Sequence, residues 1–259
     1  MKEKLIIFDL DDTLLDENGE VGELTLRVLG EVRAQGHKIV FNTARSQMRS
    51  ERIFEIVKPD FAIYNGGAHI TDGEGNAIFE SGIDKETCNA LVPEFLTVTE
   101  RFSMQADWFY TANPDYKAPD VKYFDFKANE FPMGAYKIIA HSHEPDKFLP
   151  IAEKYDLDFS TYFGGPFCRF TKKGITKASG NRELVRQLGL ELEDVIAFGD
   201  DTGDFEMILE AGVGVLMKNA KDALLLEAKE KNVKISAFSN AEEGVARFLA
   251  EYFSININQ

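Results

Sequence analysis

Long apolar runs, histidines and cysteines are scarce in this chain. No hydrophobic stretch approaches the roughly 18 to 20 residues that a membrane helix needs, so no membrane partner is expected. Histidine occurs four times in 259 residues, and the two cysteines, Cys88 and Cys168, lack any metal-ligand spacing. Both are expected as reduced, packed thiols. Positive charge is in deficit: 29 Lys and Arg face 44 Asp and Glu, for a net charge of −15. A protein that reads a nucleic-acid backbone needs clustered cations, so nucleic acid is not expected as a partner. A small anionic ligand is compatible with this field only where a local lysine cluster or a metal overcomes it. The chain opens Met-Lys-Glu-Lys and enters an apolar stretch at once, with no long h-region or small-residue cleavage site, which leads to the expectation of a cytoplasmic protein.

What is present is the composition of a globular protein, 44% hydrophobic and 28% charged, long enough for one large or two medium domains. Apolar runs and helical periodicities alternate in the first eighty residues. Strands are expected over Leu5 to Leu10, Lys38 to Phe41 and Phe61 to Tyr64, with helices over Glu20 to Ala34 and Gln47 to Val57. Strands separated by helices imply parallel crossovers. A hairpin over Ala68 to Thr71 and Ala77 to Phe79 is expected to follow. From Ile83 to Phe170 prolines punctuate mixed pieces, and Phe95 to Phe170 holds 18 of the 30 aromatic residues. Most of these rings are expected to fill a thin core, with Trp108, Phe109 or Tyr110 as candidates to face a ligand. Alternation then returns, with a helix over Lys177 to Leu188, strands over Val195 to Phe198 and Val213 to Met217, and a last helix over Ala241 to Tyr252. The expected fold class is α/β: a Rossmann-like parallel-sheet core from residues 1–82 and 171–259, interrupted by an inserted α+β domain over 83–170.

Chemistry concentrates at the expected strand ends, where an open parallel sheet binds its ligands. Asp9 and Asp11 end the first strand, and side-chain alternation would put both on one side, repelling each other unless a cation sits between them. Asn42-Thr43-Ala44-Arg45 ends the second, and Gly199-Asp200-Asp201-Thr202-Gly203-Asp204 a later one, while Lys177 opens a helix. Several carboxylates with one lysine and one threonine, and no His or Cys, form a hard-oxygen site that suits Mg²⁺ better than Zn²⁺. His141 and His143 occupy alternate positions of an expected strand, yet two histidines without a third ligand are expected as ordinary surface or core residues.

These four signatures, in this order and with an insertion between the second and third, resemble the haloacid dehalogenase superfamily of phosphohydrolases, and within it the Cof-like subgroup with a large cap domain. Gly174-Ile175-Thr176-Lys177, Val215-Leu216-Met217-Lys218-Asn219-Ala220 and Glu243-Gly244-Val245-Ala246 resemble phrases of that subgroup too. The resemblance implies a Mg²⁺-dependent phosphomonoester hydrolase working through an aspartyl-phosphate. Asp9 would be the nucleophile and Asp11 the general acid and base. Thr43 and Lys177 would bind the phosphoryl group, and Asp9, Asp11 (through its main-chain carbonyl), Asp200 and Asp204 would hold the metal. Arg45 is expected either on a second group of the substrate or in a salt bridge at a helix start, and Asn219 either near the phosphate or in a turn. Gly203 departs from the Asn that many relatives carry, which removes an orienting hydrogen bond that Asp201 or Thr202 would have to replace.

A large cap is expected to exclude bulky substrates, leaving small phosphorylated metabolites. Sugar phosphates lead, with pyridoxal phosphate, flavin mononucleotide and nucleotides kept open by the aromatic content. Alternatives are a phosphomutase of the same superfamily and a metabolite-binding protein without turnover. A monomer or weak homo-oligomer is expected.

Overall fold

The computed structural model describes residues 2–161 and 165–257. Along the chain the strands and helices are β1 (Leu5–Phe8), α1 (Glu23–Ala34), β2 (Lys38–Asn42), α2 (Gln47–Val57), β3 (Phe61–Tyr64), β4 (His69–Asp72), β5 (Ala77–Glu80) and α3 (Lys85–Leu96). There follow β6 (Phe102–Gln105), β7 (Phe109–Thr111), β8 (Val121–Tyr123), β9 (Lys137–His141), α4 (Leu149–Lys154), β10 (Leu157–Thr161) and β11 (Phe167–Lys172). The last group is α5 (Lys177–Leu188), β12 (Val195–Gly199), α6 (Thr202–Glu210), β13 (Val213–Leu216), α7 (Asp222–Glu230), β14 (Lys234–Ile235) and α8 (Gly244–Tyr252). The chain divides into two compact units, Met1–Phe79 with Thr176–Gln259, and Glu80–Ile175. The second is a few residues wider at each end than the 83–170 expected from composition, because β11 continues to Lys172 and the helical texture resumes only at Lys177.

The first unit is the α/β layer. Its sheet runs in the order β14, β13, β12, β1, β2, β3, β4, β5, with β1, β2, β3, β12, β13 and β14 parallel and the β3–β4 pair antiparallel. Both faces are apolar, as parallel strands require. Ile6, Phe8, Ile39 and Phe41 pack with Val28 of α1 and Leu249 of α8. Leu5, Ile7, Val40 and Ile63 pack with Leu184 and Val185 of α5. Alternation along β1 and β2 thus assigns odd residues of β1 and even residues of β2 to the α5 face.

The second unit has a six-stranded sheet in the order β10, β11, β9, β6, β7, β8. Its core is built largely of rings, including Phe95, Phe102, Phe126, Phe131, Phe148 and Phe170, many of them in edge-on or tilted pairs. The core-filling expectation therefore describes most of the aromatics. Tyr110 joins that core through Phe124 and Phe131, and Trp108 lies under the Lys122 ammonium at 3.6 Å. Phe109 instead lines a cavity of about 330 Å³ with Tyr116, His141 and Phe167. Tyr162 and Phe163, counted among the aromatics above, lie outside the described residues.

Two sequence expectations need correction. The first strand ends at Phe8, not Leu10, and Leu10–Leu14 forms an irregular helical turn in which Asp12 takes a left-handed conformation (φ 53°). Residues 222–235, for which no element was expected, form α7 and β14. No helix among the described residues is long and apolar enough to cross a membrane.

Candidate active site

The strand order reverses at β1: the chain passes from β1 to β2 on one side, and from β12 to β13 on the other. The crevice beyond such a reversal is where open α/β sheets bind ligands. Phe8 pairs with Phe198, and the next residue, Asp9, donates its N–H to the Phe198 carbonyl at 3.1 Å. Asp9 therefore stands at the mouth of the crevice, 8% exposed. By parity with Leu5 and Ile7 it belongs to the α5 face, and Lys177 is the first residue of α5.

The start of α5 is held closely. Thr176 accepts from the Ser179 N–H at 3.1 Å and the Ser179 hydroxyl accepts from the Thr176 N–H at 2.9 Å, a reciprocal cap. A Cβ at Gly180 would lie 2.9 Å from the Gly67 Cα, and one at Gly67 would lie 2.1 Å from the Thr176 carbonyl oxygen. The two glycines let α5 rest directly on the β3–β4 turn. From this seat Lys177 Nζ reaches Asp9 Oδ1 at 2.9 Å and Asp204 Oδ1 at 2.5 Å.

Asp204 is fully buried, and its second oxygen accepts from the N–H groups of Asp200 and Asp201, both at 3.1 Å. Asp201 caps α6, accepting from the Thr202 N–H at 2.7 Å. A Cβ at Gly199 would fall 2.3 Å from Asp204 Cβ, which explains the glycine before the acids. Asp200 is half-buried and accepts from the Thr13 hydroxyl at 2.8 Å.

One carboxylate oxygen each from Asp9, Asp200 and Asp204 lies within 4.8 Å of the others. Burial, opposed by Lys177 and reinforced by Asp204, pushes Asp9 up to about 7. Burial and the Asp204 charge push Asp200 up to about 7 as well. Lys177 is held above its ordinary value, because the two carboxylates outweigh the burial that opposes its charge. One ammonium thus fails to balance three carboxylates. Hard oxygen donors with surplus negative charge fit a divalent cation, and Asp200 has no cationic side chain bonded to it among the described residues.

The other expected site residues fall in two groups. Thr43 is buried at the end of β2, its N–H bonded to the Ile63 carbonyl and its hydroxyl accepting from the Arg45 N–H at 3.1 Å. Asp11 is not beside Asp9 on a strand. The turn after Phe8 carries it to an exposed position, where Arg45 clasps both its oxygens, Nε at 2.8 Å. Its carboxylate is therefore outside the acidic cluster, and Arg45 is an ion-pair partner, with Ser46 as the helix cap. Asn219 is also outside the cluster: its amide donates to the Asp12 carbonyl at 2.7 Å and accepts from the Asn240 N–H at 3.0 Å, tying two loops together. Gly203 is exposed in the first turn of α6 with open space where a side chain would be. His141 and His143 pack edge-on at 5.4 Å in the second unit. Sequence reading missed Thr13, whose only signal was a hydroxyl two residues after Asp11, and Asn42 and Asn181, which join β2 to α5.

A family model described as haloacid dehalogenase-like hydrolase matches residues 6–249. The chain belongs to this family. It is 27% identical over 276 residues to a 5-amino-6-(5-phospho-D-ribitylamino)uracil phosphatase of Bacillus subtilis strain 168, covering 98% of this chain and 99% of the relative. It is 25% identical over 265 residues to an HMP-PP phosphatase of Yersinia pseudotuberculosis, covering 97% and 96%. Among solved structures, a haloacid dehalogenase-like hydrolase from Bacteroides thetaiotaomicron superposes with a TM-score of 0.81 at 22% identity, covering 97% of this chain and all of the other. The Cof-like resemblance read from the motifs and the α/β fold class read from the alternation of strands and helices are met by these matches. The protein is accordingly an enzyme of the hydrolase class.

Proposed function

We propose that the protein is a phosphomonoester hydrolase of small phosphorylated metabolites, with Asp9 as nucleophile. The observation that carries this reading is the Lys177 ammonium shared between Asp9 and Asp204 in the crevice beyond β1. In the first step an Asp9 oxygen bonds to phosphorus as the ester P–O bond breaks, giving an aspartyl-phosphate and an alkoxide. Asp11, on the exposed turn, protonates that alkoxide and later takes a proton from the water that hydrolyses the acyl phosphate. Lys177 orients the Asp9 carboxylate and offsets phosphoryl charge, and Thr43 offers a hydroxyl to a phosphoryl oxygen. A divalent cation, Mg²⁺ by its fit to oxygen donors, would be held by Asp9, Asp200 and the Asp11 carbonyl with Asp204 behind them, and would stabilise the charge on the transferring group.

The curated relatives support a narrower substrate class. One of them acts on a phosphate ester that carries a pyrimidine ring on a ribityl chain. That supports ring-bearing polyol phosphates alongside the plain sugar phosphates expected first. The test is release of phosphate from p-nitrophenyl phosphate with Mg²⁺, followed by a panel of sugar, nucleotide and cofactor phosphates. Turnover should stop with a chelator and with Asp9→Asn; activity that survives the substitution refutes the mechanism.

A further inference from the structure

Asn42 is the one polar residue of β2's buried stretch, following Ile39, Val40 and Phe41, and it is fully buried. By parity with Val40 it points to the α5 face. Its amide nitrogen donates to two acceptors on α5: the main-chain carbonyl of Lys177 at 2.8 Å and Asn181 Oδ1 at 2.7 Å. Asn181 is itself 1% exposed. The bond to the Lys177 carbonyl is made by a side chain next in sequence to Thr43. The two residues expected to hold the phosphoryl group, one at a strand end and one at a helix start, are thus braced to each other by one amide.

The brace has a cost that packing alone would not sustain. Asn42 Oδ1 is buried with no hydrogen-bond partner among the described residues, and an orphaned buried acceptor is destabilising. An apolar side chain at position 42 would avoid that and match its neighbours in the strand. Local rules are broken in this way where function demands it. The capping of α5 by Thr176 and Ser179 fixes where the helix begins, and the Gly67–Gly180 contact fixes how closely it approaches. The buried face of Ala178, Leu184 and Val185 sets the rotation of the helix. The bond from Asn42 to the Lys177 carbonyl adds a polar restraint at the first turn, and Asn181, one turn further along, gives it a second point of attachment.

We infer that Asn42 and Asn181 are positioning residues that set the Lys177 ammonium relative to Thr43. The inference rests on the phosphatase reading for the roles of Lys177 and Thr43. Small displacements of a positioned group are costly in rate, so Asn42→Ala and Asn181→Ala should lower kcat for p-nitrophenyl phosphate about tenfold or more per folded molecule. KM should rise less, about threefold, because an ammonium that offsets developing charge matters most in the transition state. The decisive variant replaces both partners, Asn42→Val with Asn181→Leu. Removing both halves of a buried polar pair can leave stability unchanged or improved. The double variant should keep its urea midpoint and still turn over about tenfold slower. A second readout needs no turnover: calorimetric titration with orthophosphate in the presence of Mg²⁺ should show about threefold weaker binding in each variant. Wild-type kcat and phosphate affinity in the double variant would overturn the inference, as would losses in the single variants that follow the unfolded fraction alone. A wild-type protein that binds phosphate but hydrolyses no ester would refute the phosphatase reading, and the phosphate titration would still decide the brace.

Discussion

Thr13 and His37 show how single side chains tune this molecule. Thr13 contributes no ligand, yet its hydroxyl fixes one oxygen of Asp200 at 2.8 Å. Outer partners of this kind are worth about tenfold to a hundredfold in metal affinity. If the proposed divalent cation sits here, Thr13→Val should therefore raise the Mg²⁺ concentration needed for half-maximal phosphatase activity by about tenfold, while leaving the fold intact by circular dichroism. His37 is buried against Phe253 at 4.5 Å, with Nδ1 accepting from the Lys4 N–H and Nε2 unpartnered among the described residues. Burial, helped by the charge of Lys4, lowers its pKa below the ordinary 6.5. The unfolded chain then binds a proton before the folded one does, so its stabilising contribution is complete above pH 6.5 and is lost as the pH falls through the folded value. In saturating Mg²⁺, which holds the acidic cluster ionised, urea midpoints should drop between about pH 7.5 and about pH 5.5, and His37→Asn, which keeps an acceptor for Lys4, should flatten that difference. At this scale the grouping of Asp9, Lys177 and Asp200 was legible in the sequence, because each stands at an end of a recognisable element. The seat of Asp11 was not. Strand alternation placed it beside Asp9, whereas one left-handed residue, Asp12, belongs to a turn that had no glycine or proline to announce it.

Helix ends do much of the positioning. The N-cap of α1 is Gly22, which has no side chain to cap with, and Glu243 reaches across to accept from the Thr25 N–H at 2.7 Å and the Thr25 hydroxyl at 2.9 Å. Glu243→Ala should cost about 1–2 kcal/mol in urea unfolding, the range of a lost cap. Gly22→Ala should be destabilising through the same pair, since its Cβ would lie 2.1 Å from the Glu243 carboxylate. At α5, Gly180→Ala would push against the backbone of Gly67. That should cost about 1–3 kcal/mol as overpacking and lower turnover as well, because Lys177 moves with the helix. The helix over Lys177–Leu188 was legible to the residue, since Thr176 and Gly189 bracket it with a cap and a left-handed stop. Asp222–Glu230 was not, because Leu224, Leu225 and Leu226 form a continuous run with no period to distinguish strand from helix.

For the whole molecule, the acidic cluster links stability to both pH and cations. Asp9 and Asp200 have ordinary values of 3.8 and folded values of about 7. Without a bound cation the folded protein keeps protons there that the unfolded chain has released, so stability falls as the pH rises from about 4 to about 7. A divalent ion displaces those protons and removes the penalty. Chelation should therefore lower Tm by calorimetry more at about pH 8 than at about pH 5.5; an equal drop would contradict the linkage. The α/β architecture was readable because its strands are apolar throughout and separated by periodic helices. The edges of the inserted unit were less so, as prolines mark loops and not the point where one core gives way to another. The sheet order has one more consequence, for synthesis. β1 is the central strand, but its partner β12 lies about 190 residues later, roughly ten to forty seconds at ordinary elongation rates. Until then Leu5–Phe8 is an open, wholly apolar strand edge, the kind that seeds aggregation. Asp9, Asp11 and Asp12 follow it directly, in the flanking position where charge opposes such pairing.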